Sequence, residues 1–387
     1  MTGKSFSTTA IFIAACAGMA YFGIAMLSLG PILGPLNAQV EGANALPATL
    51  SAGIIAGTIL FGPVVDRFGY KWLLILSSFL ALAGLQGLSH FRTITLLHTS
   101  IFCLGLGSGI LNGETNALVS DIYDDTKRAG RLAILGSFYC IGALLCTLFN
   151  YIAADFRIPL NVFSVLMAGY IIYFCIISFP QAKQADGQGA SLKQSIRLLK
   201  YPALLIFGAA LFFQSGFEGS SGSFTVSYLN NVCGTDNAAA TLALTWFTIG
   251  MLAGRLPLGR ILAKLKELAT LYLYLGLALV GILGFTFLGK NIVMAYIAMT
   301  LVGFGVGATF PVVLNFIGSA FRAQSGTAFS IALFIALAGQ SLFNKLTGIA
   351  FDKGSFFFLP IALTVALIMI MALIPAALAA ARKHRNK

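Results

Sequence analysis

The stretch AGTILFG at residues 56–62 recurs as AGRLPLG at residues 253–259, in the second half of the chain. A second stretch, LGLGSG at 104–109, recurs as VGFGVG at 302–307, at nearly the same spacing. Two independent matches at nearly one spacing indicate an internal duplication. Same-sense repeats that each carry several apolar segments are typical of transporters built from two halves around a central site.

The composition places the chain in a membrane. Hydrophobic residues make up 58% and charged residues 9%, against roughly 45–50% and 25% in soluble domains. About 20 apolar residues cross a bilayer as a helix. The sequence therefore predicts an all-α integral membrane protein whose twelve transmembrane helices form two pseudo-symmetric six-helix bundles. The predicted spans, numbered 1 to 12 in chain order, are 8–31, 47–66, 72–90, 96–120, 131–152, 158–180, 202–229, 237–261, 268–289, 292–317, 325–348 and 354–381.

The longest polar segment between spans divides the chain. We expect an N-terminal six-helix half at 1–185, a cytoplasmic linker at 186–201 and a C-terminal six-helix half at 202–387. The first apolar stretch is interpreted as a full span and not as a signal peptide.

The net charge of +12 does not indicate nucleic-acid binding, because the basic residues lie almost entirely in loops on one side of the predicted membrane. The other side receives only Arg92, Arg157, Lys290, Lys345 and Lys353. This asymmetry predicts cytoplasmic termini in a multi-pass protein of the cell's inner membrane. The six cysteines lie mostly inside spans without metal-ligand spacing, so we expect no metal and no cofactor.

A charged loop, GPVVDRFGYK at 62–71, separates spans 2 and 3. Gly62 would allow two helices to approach closely. Asp66 would pair with a basic group or cap a neighbouring helix start and so latch one conformation; a simple charged turn is the alternative. The loop resembles the G-x-L-x-D-R-x-G-R-K motif of the major facilitator superfamily, with differences at Val64 and Tyr70. The predicted latch comprises Gly62, Asp66, Arg67, Gly69 and Arg255.

A resemblance to a more specific family extends over most of the chain. Three of its spans are similar to the fucose/galactose/glucose–proton symporter family, in its glucose/mannose-type subgroup. The similar segments are span 4 (GLGSGILNGETNALV, 105–119), the pattern of Gly216, Glu218 and Gly222 in span 7, and the glycines and FP dipeptide of span 10. The resemblance implies a secondary transporter that imports a neutral hexose. Two departures matter: span 1 has no acid, and Asn112 stands where fucose-type members carry one. The coupling residues of those members are therefore not transferred.

Polar residues inside the spans mark the expected sugar site, because buried polar groups in a membrane are costly. Amides and hydroxyls both donate and accept hydrogen bonds, as a hydroxyl-rich solute requires. The alternative for the polar face of span 4 is that it packs against a neighbouring helix through its glycines. The alternative for Trp246 is that it is a core aromatic and does not contact the sugar. The predicted substrate-binding residues are Asn112, Asn116, Gln214, Glu218, Ser221, Trp246, Asn315, Gln340 and Asn344.

Two intramembrane acids are candidates for proton coupling, since a carboxyl group in a partly dehydrated bundle can take up and release a proton. Glu218 is the first candidate and Glu114 the second. The alternatives left open are a basic or helix-terminal partner for Glu218, a basic partner near the cytoplasmic gate for Glu114, and a sodium-coupled or uncoupled sugar carrier.

Other classes of protein find less support. A drug or metabolite exporter of the same fold is the main alternative. The GSSG segment at 219–222 resembles a serine-protease motif, but no span near it offers a histidine base, and neither H-E-x-x-H nor a phosphate-binding loop occurs. We expect a monomer without enzymatic activity, whose partners are a small neutral sugar, a proton or sodium ion and the lipid bilayer.

Overall fold

The computed structural model describes residues 7–29, 32–33, 36, 39–153, 155–179 and 198–385. Within them the regular structure is entirely helical, and twelve helical segments are long and apolar enough to cross a membrane. The all-helical prediction is therefore confirmed. Residues 186–197 of the predicted linker, and the chain ends at 1–6 and 386–387, lie outside the described residues.

Ten of the spans are single helices, and their bounds lie within a few residues of the predicted ones. These helices are Thr8–Leu27, Leu46–Phe68, Tyr70–His90, Ile94–Ile122, Asp125–Ile152, Arg157–Ile176, Pro202–Cys233, Glu267–Leu288, Ser325–Asp352 and Phe358–Arg385. They are spans 1 to 7, 9, 11 and 12.

Spans 8 and 10 are interrupted, although the sequence predicted one continuous helix for each. Span 8 consists of Asn237–Arg255 and Leu258–Leu262, and span 10 of Ile292–Val306 and Thr309–Ala320. A proline accompanies each break: Pro257 lies within the break of span 8, and Pro311 lies just inside the second helix of span 10. Proline has no backbone N–H to donate to the carbonyl four residues earlier, and its ring clashes with that turn. The break in span 10 therefore removes the usual helical donor to the carbonyl of Gly307.

Glycines bring pairs of helices into backbone contact. Spans 2 and 4 meet where a methyl group on Gly57 would clash with the carbonyl oxygen of Leu106. Spans 8 and 10 meet where a methyl group on Gly254 would lie 2.5 Å from the carbonyl oxygen of Phe304. Small residues at such crossings are the usual means of close packing in membranes. The duplicated glycine motifs thus make equivalent contacts in the two parts of the protein.

The chain forms two compact units. Unit 1 comprises residues 1–122, 138–196 and 321–330, and unit 2 comprises 123–137, 197–320 and 331–387. Most of each unit comes from one half of the sequence. The beginning of span 5, however, belongs to unit 2, and the beginning of span 11 belongs to unit 1.

Candidate functional site

Asp66, at the end of span 2, caps the beginning of span 11 inside unit 1. Its side chain is buried. Its Oδ1 accepts a hydrogen bond from the backbone N–H of Gly326 at 3.2 Å, and its Oδ2 accepts from the N–H and hydroxyl of Thr327 at 2.9 and 2.7 Å. The first N–H groups of a helix lack partners within the helix and attract negative charge. Of the two roles expected for Asp66, the structure shows helix capping.

The glycines of the predicted latch have distinct roles. A methyl group on Gly62 would lie 2.6 Å from the Cβ of Ser330 and 2.7 Å from the carbonyl oxygen of Gly326, so only glycine allows this approach of spans 2 and 11. Gly69 joins spans 2 and 3 with a φ of 80°, a conformation that glycine adopts without strain. Arg67 is exposed and stacks over the ring of Phe68 at 5.1 Å. Its charge therefore lies at the surface of unit 1.

The beginning of span 5 makes a comparable contact inside unit 2. A methyl group on Gly259 would lie 3.2 Å from the Cα of Gly130. Close by in sequence, the buried guanidinium of Arg128 forms an ion pair with Asp125 at 2.5 Å and donates to the hydroxyl of Ser319 at 2.8 Å. The loops that follow spans 2 and 8 correspond to each other in the repeat. Each of them therefore contacts the beginning of a helix from the other half of the sequence.

Arg255 is buried in unit 2 and also contacts the beginning of span 5. Its Nη1 donates to the carbonyl oxygen of Gly136 at 2.7 Å, and its Nε donates to the carbonyl oxygen of Gly307 at 3.4 Å. Its Nη2 lies 3.7 Å from Oε1 of Glu218. Arg255 is thus an ion-pair partner of an intramembrane acid, and the basic partner considered for Glu218 is present.

The polar stripe of span 7 surrounds this ion pair. The amide Nε2 of Gln214 donates to Oε1 of Glu218 at 2.7 Å and to the carbonyl oxygen of Val306 at 3.3 Å. The Glu218 side chain is 24% exposed. Further along the stripe, the hydroxyls of Ser221 and Thr225 are buried without a hydrogen-bond partner. Unbonded polar atoms of this kind are available to a polar solute.

Spans 7 and 11 are in contact at the level of the predicted sugar site. A methyl group on Gly219 would lie 2.5 Å from Cγ of Gln340. Asn344 accepts a hydrogen bond from the hydroxyl of Ser220 at 3.4 Å. Gln340 and Asn344 are both half-buried. Their amides therefore lie on the same side of span 11. The residues they contact, Gly219 and Ser220, lie on the side of span 7 opposite to its polar stripe, so the structure does not bring the two sets of predicted residues onto one face.

Trp246 and Asn315 have different surroundings. The Trp246 side chain is 38% exposed in unit 2. Asn315 is buried, and its amide Nδ2 donates to Oε1 of Glu267 at 2.7 Å, at the beginning of span 9. No sequence pattern indicated this bond, because residues 267 and 315 lie on separate helices.

In unit 1, span 4 carries the two predicted asparagines on one buried face. The amide of Asn116 donates to the backbone carbonyl of Asn112 at 2.8 Å and to its side-chain oxygen at 3.2 Å. The Asn116 amide is thus partly satisfied within its own helix. The side-chain amide of Asn112 keeps donors for another partner.

Glu114 is completely buried inside unit 1. Neither of its carboxyl oxygens has a hydrogen-bond partner. A charged carboxylate in such a place is very unfavourable, because nothing replaces its hydration. The chemistry of the site therefore favours the neutral acid at Glu114. The carboxylate of Glu218, by contrast, has an arginine beside it.

The repeat itself offered a signal for the burial of Arg255. In the duplicated stretch, Arg255 occupies the position of Thr58, which is fully buried in span 2. Its assignment to the loop latch rested on the family resemblance. Among the described residues, no group of three or more His, Cys, Asp or Glu side chains is placed to hold a metal ion.

Comparison with known proteins agrees with this architecture. The model of the Major Facilitator Superfamily matches residues 10–344. The structure of an Asn-to-Ala variant of the E. coli fucose:proton symporter FucP superimposes with a TM-score of 0.78 at 16% identity, over 95% of this chain and 98% of that one. The proton:xylose symporter XylE, bound to 6-bromo-6-deoxy-D-glucose, gives a TM-score of 0.76 at 15% identity, over 95% and 96% of the two chains.

Among curated sequences, the human protein named sodium-dependent glucose transporter 1 is 23% identical over 342 residues. That alignment covers 76% of this chain but 65% of the human protein, slightly less than two thirds of its length. The twelve helices, the duplicated loops and these matches define a membrane transporter. The chain belongs to the Major Facilitator Superfamily.

Proposed function

We propose that this protein is a secondary transporter that imports a neutral hexose of the glucose/mannose type by alternating access, coupled to protons. The main support for a neutral substrate comes from the contacts of Arg255. This buried cation is engaged by Glu218 and by two backbone carbonyls. It is therefore not available to the carboxylate or phosphate of an anionic substrate. The remaining polar groups of the candidate site are amides and hydroxyls, which suit a neutral polyol.

The similar proteins support a sugar as the substrate. The fucose:proton symporter, the proton:xylose symporter and the sodium-dependent glucose transporter are all named for monosaccharides. Their names differ in the coupling ion, so they do not choose between proton and sodium. That choice depends on the two acids of this chain.

Proton binding is assigned to Glu114 in this proposal. A proton carrier must be stable as the neutral acid in one state, and the unpartnered, buried carboxyl of Glu114 fits that requirement. Glu218, by contrast, is the ion-pair partner of Arg255. This reverses the order in which the sequence ranked the two acids. Glu218 keeps a proposed role at the sugar site through its contact with Gln214.

The capping bonds of Asp66 support a latch. They join the end of span 2 to the beginning of span 11, two segments that come from different halves of the sequence. When one six-helix half (1–185) rocks against the other (202–387), these three bonds must break. We further propose that the transporter is a monomer in the inner membrane with both termini in the cytoplasm.

Ligand-dependent thermal stability tests the substrate class. The purified protein is heated in detergent with glucose, mannose, galactose or fucose, and in parallel with organic anions and with lipophilic cations. A ligand that binds the folded state raises the melting temperature. A hexose-specific rise is expected. A rise with lipophilic cations alone would identify a drug exporter of the same fold, and a rise with anions alone would contradict a neutral substrate.

A further inference from the structure

Three oxygen atoms from three different spans surround the guanidinium of Arg255 in unit 2. One belongs to the carboxylate of Glu218 in span 7, and two are the backbone carbonyls of Gly136 in span 5 and Gly307 in span 10. The arginine side chain is 5% exposed. One anionic and two neutral oxygens around a buried positive charge are the kind of ligands that hard metal cations prefer.

The carbonyl of Gly307 is available because span 10 is broken. Pro311 lacks the N–H that would otherwise bond to it. In secondary transporters, carbonyls at the end of such a half-helix are the usual ligands of a coupling sodium ion. Two further buried oxygens without a partner occur close by in the chain: Oε1 of Gln214, whose amide contacts Glu218, and Oγ1 of Thr309, just after the break.

Gly136 makes room for the guanidinium on the other side. A methyl group there would lie 3.2 Å from Nη1 of Arg255. A larger residue at this position would therefore crowd the guanidinium. Arginine remains protonated at every physiological pH, and, unlike a sodium ion or a proton, it cannot dissociate into the solvent.

We propose that Glu218, Gly136 and Gly307 form a monovalent-cation site that the chain fills with the guanidinium of its own Arg255. The arginine acts as a tethered counterion. The C-terminal half consequently needs no ion from solution at this place. If the protein is the coupled transporter proposed above, its coupling ion binds elsewhere.

The experiment removes the tethered cation and offers a free one. Wild type, Arg255→Ala, and the double variant Arg255→Ala/Glu218→Gln are purified in detergent. Their melting temperatures are measured in sodium chloride and in N-methyl-D-glucamine chloride at equal ionic strength, at neutral and alkaline pH. The large organic cation serves as the control, since it cannot enter a buried site. No sugar is used, so the result does not depend on the identity of the substrate.

The melting temperature of Arg255→Ala should rise with sodium concentration, by about 3 °C over a hundredfold range. Wild type should behave identically in the two salts, and the double variant should lose the response because the anionic ligand is gone. Arg255→Lys, which keeps a tethered charge, should also remain insensitive to sodium.

Two results would overturn the proposal. One is an Arg255→Ala protein whose stability is the same in both salts at both pH values. The other is a sodium-specific stabilisation of wild type that Glu218→Gln removes, since the site would then already bind a free ion. Should Arg255→Ala lose its fold on extraction, the yield of monodisperse protein becomes the measurement. Sodium should rescue this yield relative to the organic cation, and an equal loss in both salts would contradict the tethered-cation site.

Discussion

The Oδ2 atom of Asp66 lies 2.9 Å from the backbone nitrogen of Thr327 and 2.7 Å from its hydroxyl. One carboxylate thus holds the beginning of span 11 against the end of span 2. Both partners are buried, which makes the bonds stronger than they would be in water. Removing the charge should weaken the conformation that contains this contact and leave the other conformation unaffected.

The first prediction concerns this contact. Asp66→Asn keeps one acceptor but loses the charge and the second acceptor, at a cost of about 1–2 kcal/mol to the capped state. Transport should slow while sugar affinity stays nearly constant, because the change acts on the rocking equilibrium. Initial uptake rates and binding isotherms measure the two quantities.

Arg67→Gln is the matched control for that variant. Its side chain is adjacent in sequence but exposed and stacked on Phe68, so transport should hardly change. A loss of sugar affinity in Asp66→Asn, with unchanged conformational exchange, would show that Asp66 is not a latch.

The second prediction concerns proton coupling. Glu114→Gln replaces a neutral acid by a neutral amide of nearly the same shape. Folding stability should therefore change little, and sugar exchange should persist. Accumulation driven by a pH gradient should disappear, because the amide cannot release a proton. Uptake and counterflow in proteoliposomes separate the two activities.

Glu218→Gln provides the contrast. It leaves the guanidinium of Arg255 without its anion and should lower the free energy of unfolding by about 1–3 kcal/mol, less than for a fully buried pair because Glu218 is partly exposed. Persistent pH-driven accumulation in Glu114→Gln would rule out Glu114 as the proton-binding residue.

The third prediction concerns the sugar site. Asn112→Ala and Gln340→Ala should each weaken hexose binding by about 1–3 kcal/mol, since each removes a polar partner of the bound solute. Asn315→Ala is the control of like chemistry. Its amide is held by Glu267, so the substitution should affect stability more than affinity. Unchanged isotherms for both Asn112→Ala and Gln340→Ala would show that these faces are packing surfaces.

The fold could be predicted from the sequence because its determinants are local or repeated. Apolar length fixes the spans, and Gly57 and Gly254 recur at the spacing of the repeat because both make the same backbone contact. The helix breaks also have a local cause in Pro257 and Pro311, but a proline in a membrane helix often produces only a kink. The sequence pattern alone therefore did not distinguish a kink from a break.

The partners of the charged residues were harder to predict. Glu218 and Arg255 are brought together by the register of spans 7 and 8, and Asn315 and Glu267 by that of spans 9 and 10. Hydrophobic periodicity does not encode such a register. The capping role of Asp66 was foreseeable as one of two possibilities, because the chemistry of the carboxylate was known and only its partner, Thr327, was missing.

The most direct test of the proposed function is counterflow of labelled glucose. Purified protein is reconstituted into proteoliposomes loaded with unlabelled glucose, and labelled glucose is added outside in the absence of any ion gradient. A hexose carrier should accumulate the label transiently by exchange, and unlabelled mannose outside should compete, whereas an unrelated organic anion should not. If no label enters, and mannose, galactose and fucose likewise give no counterflow, the protein is not a hexose transporter.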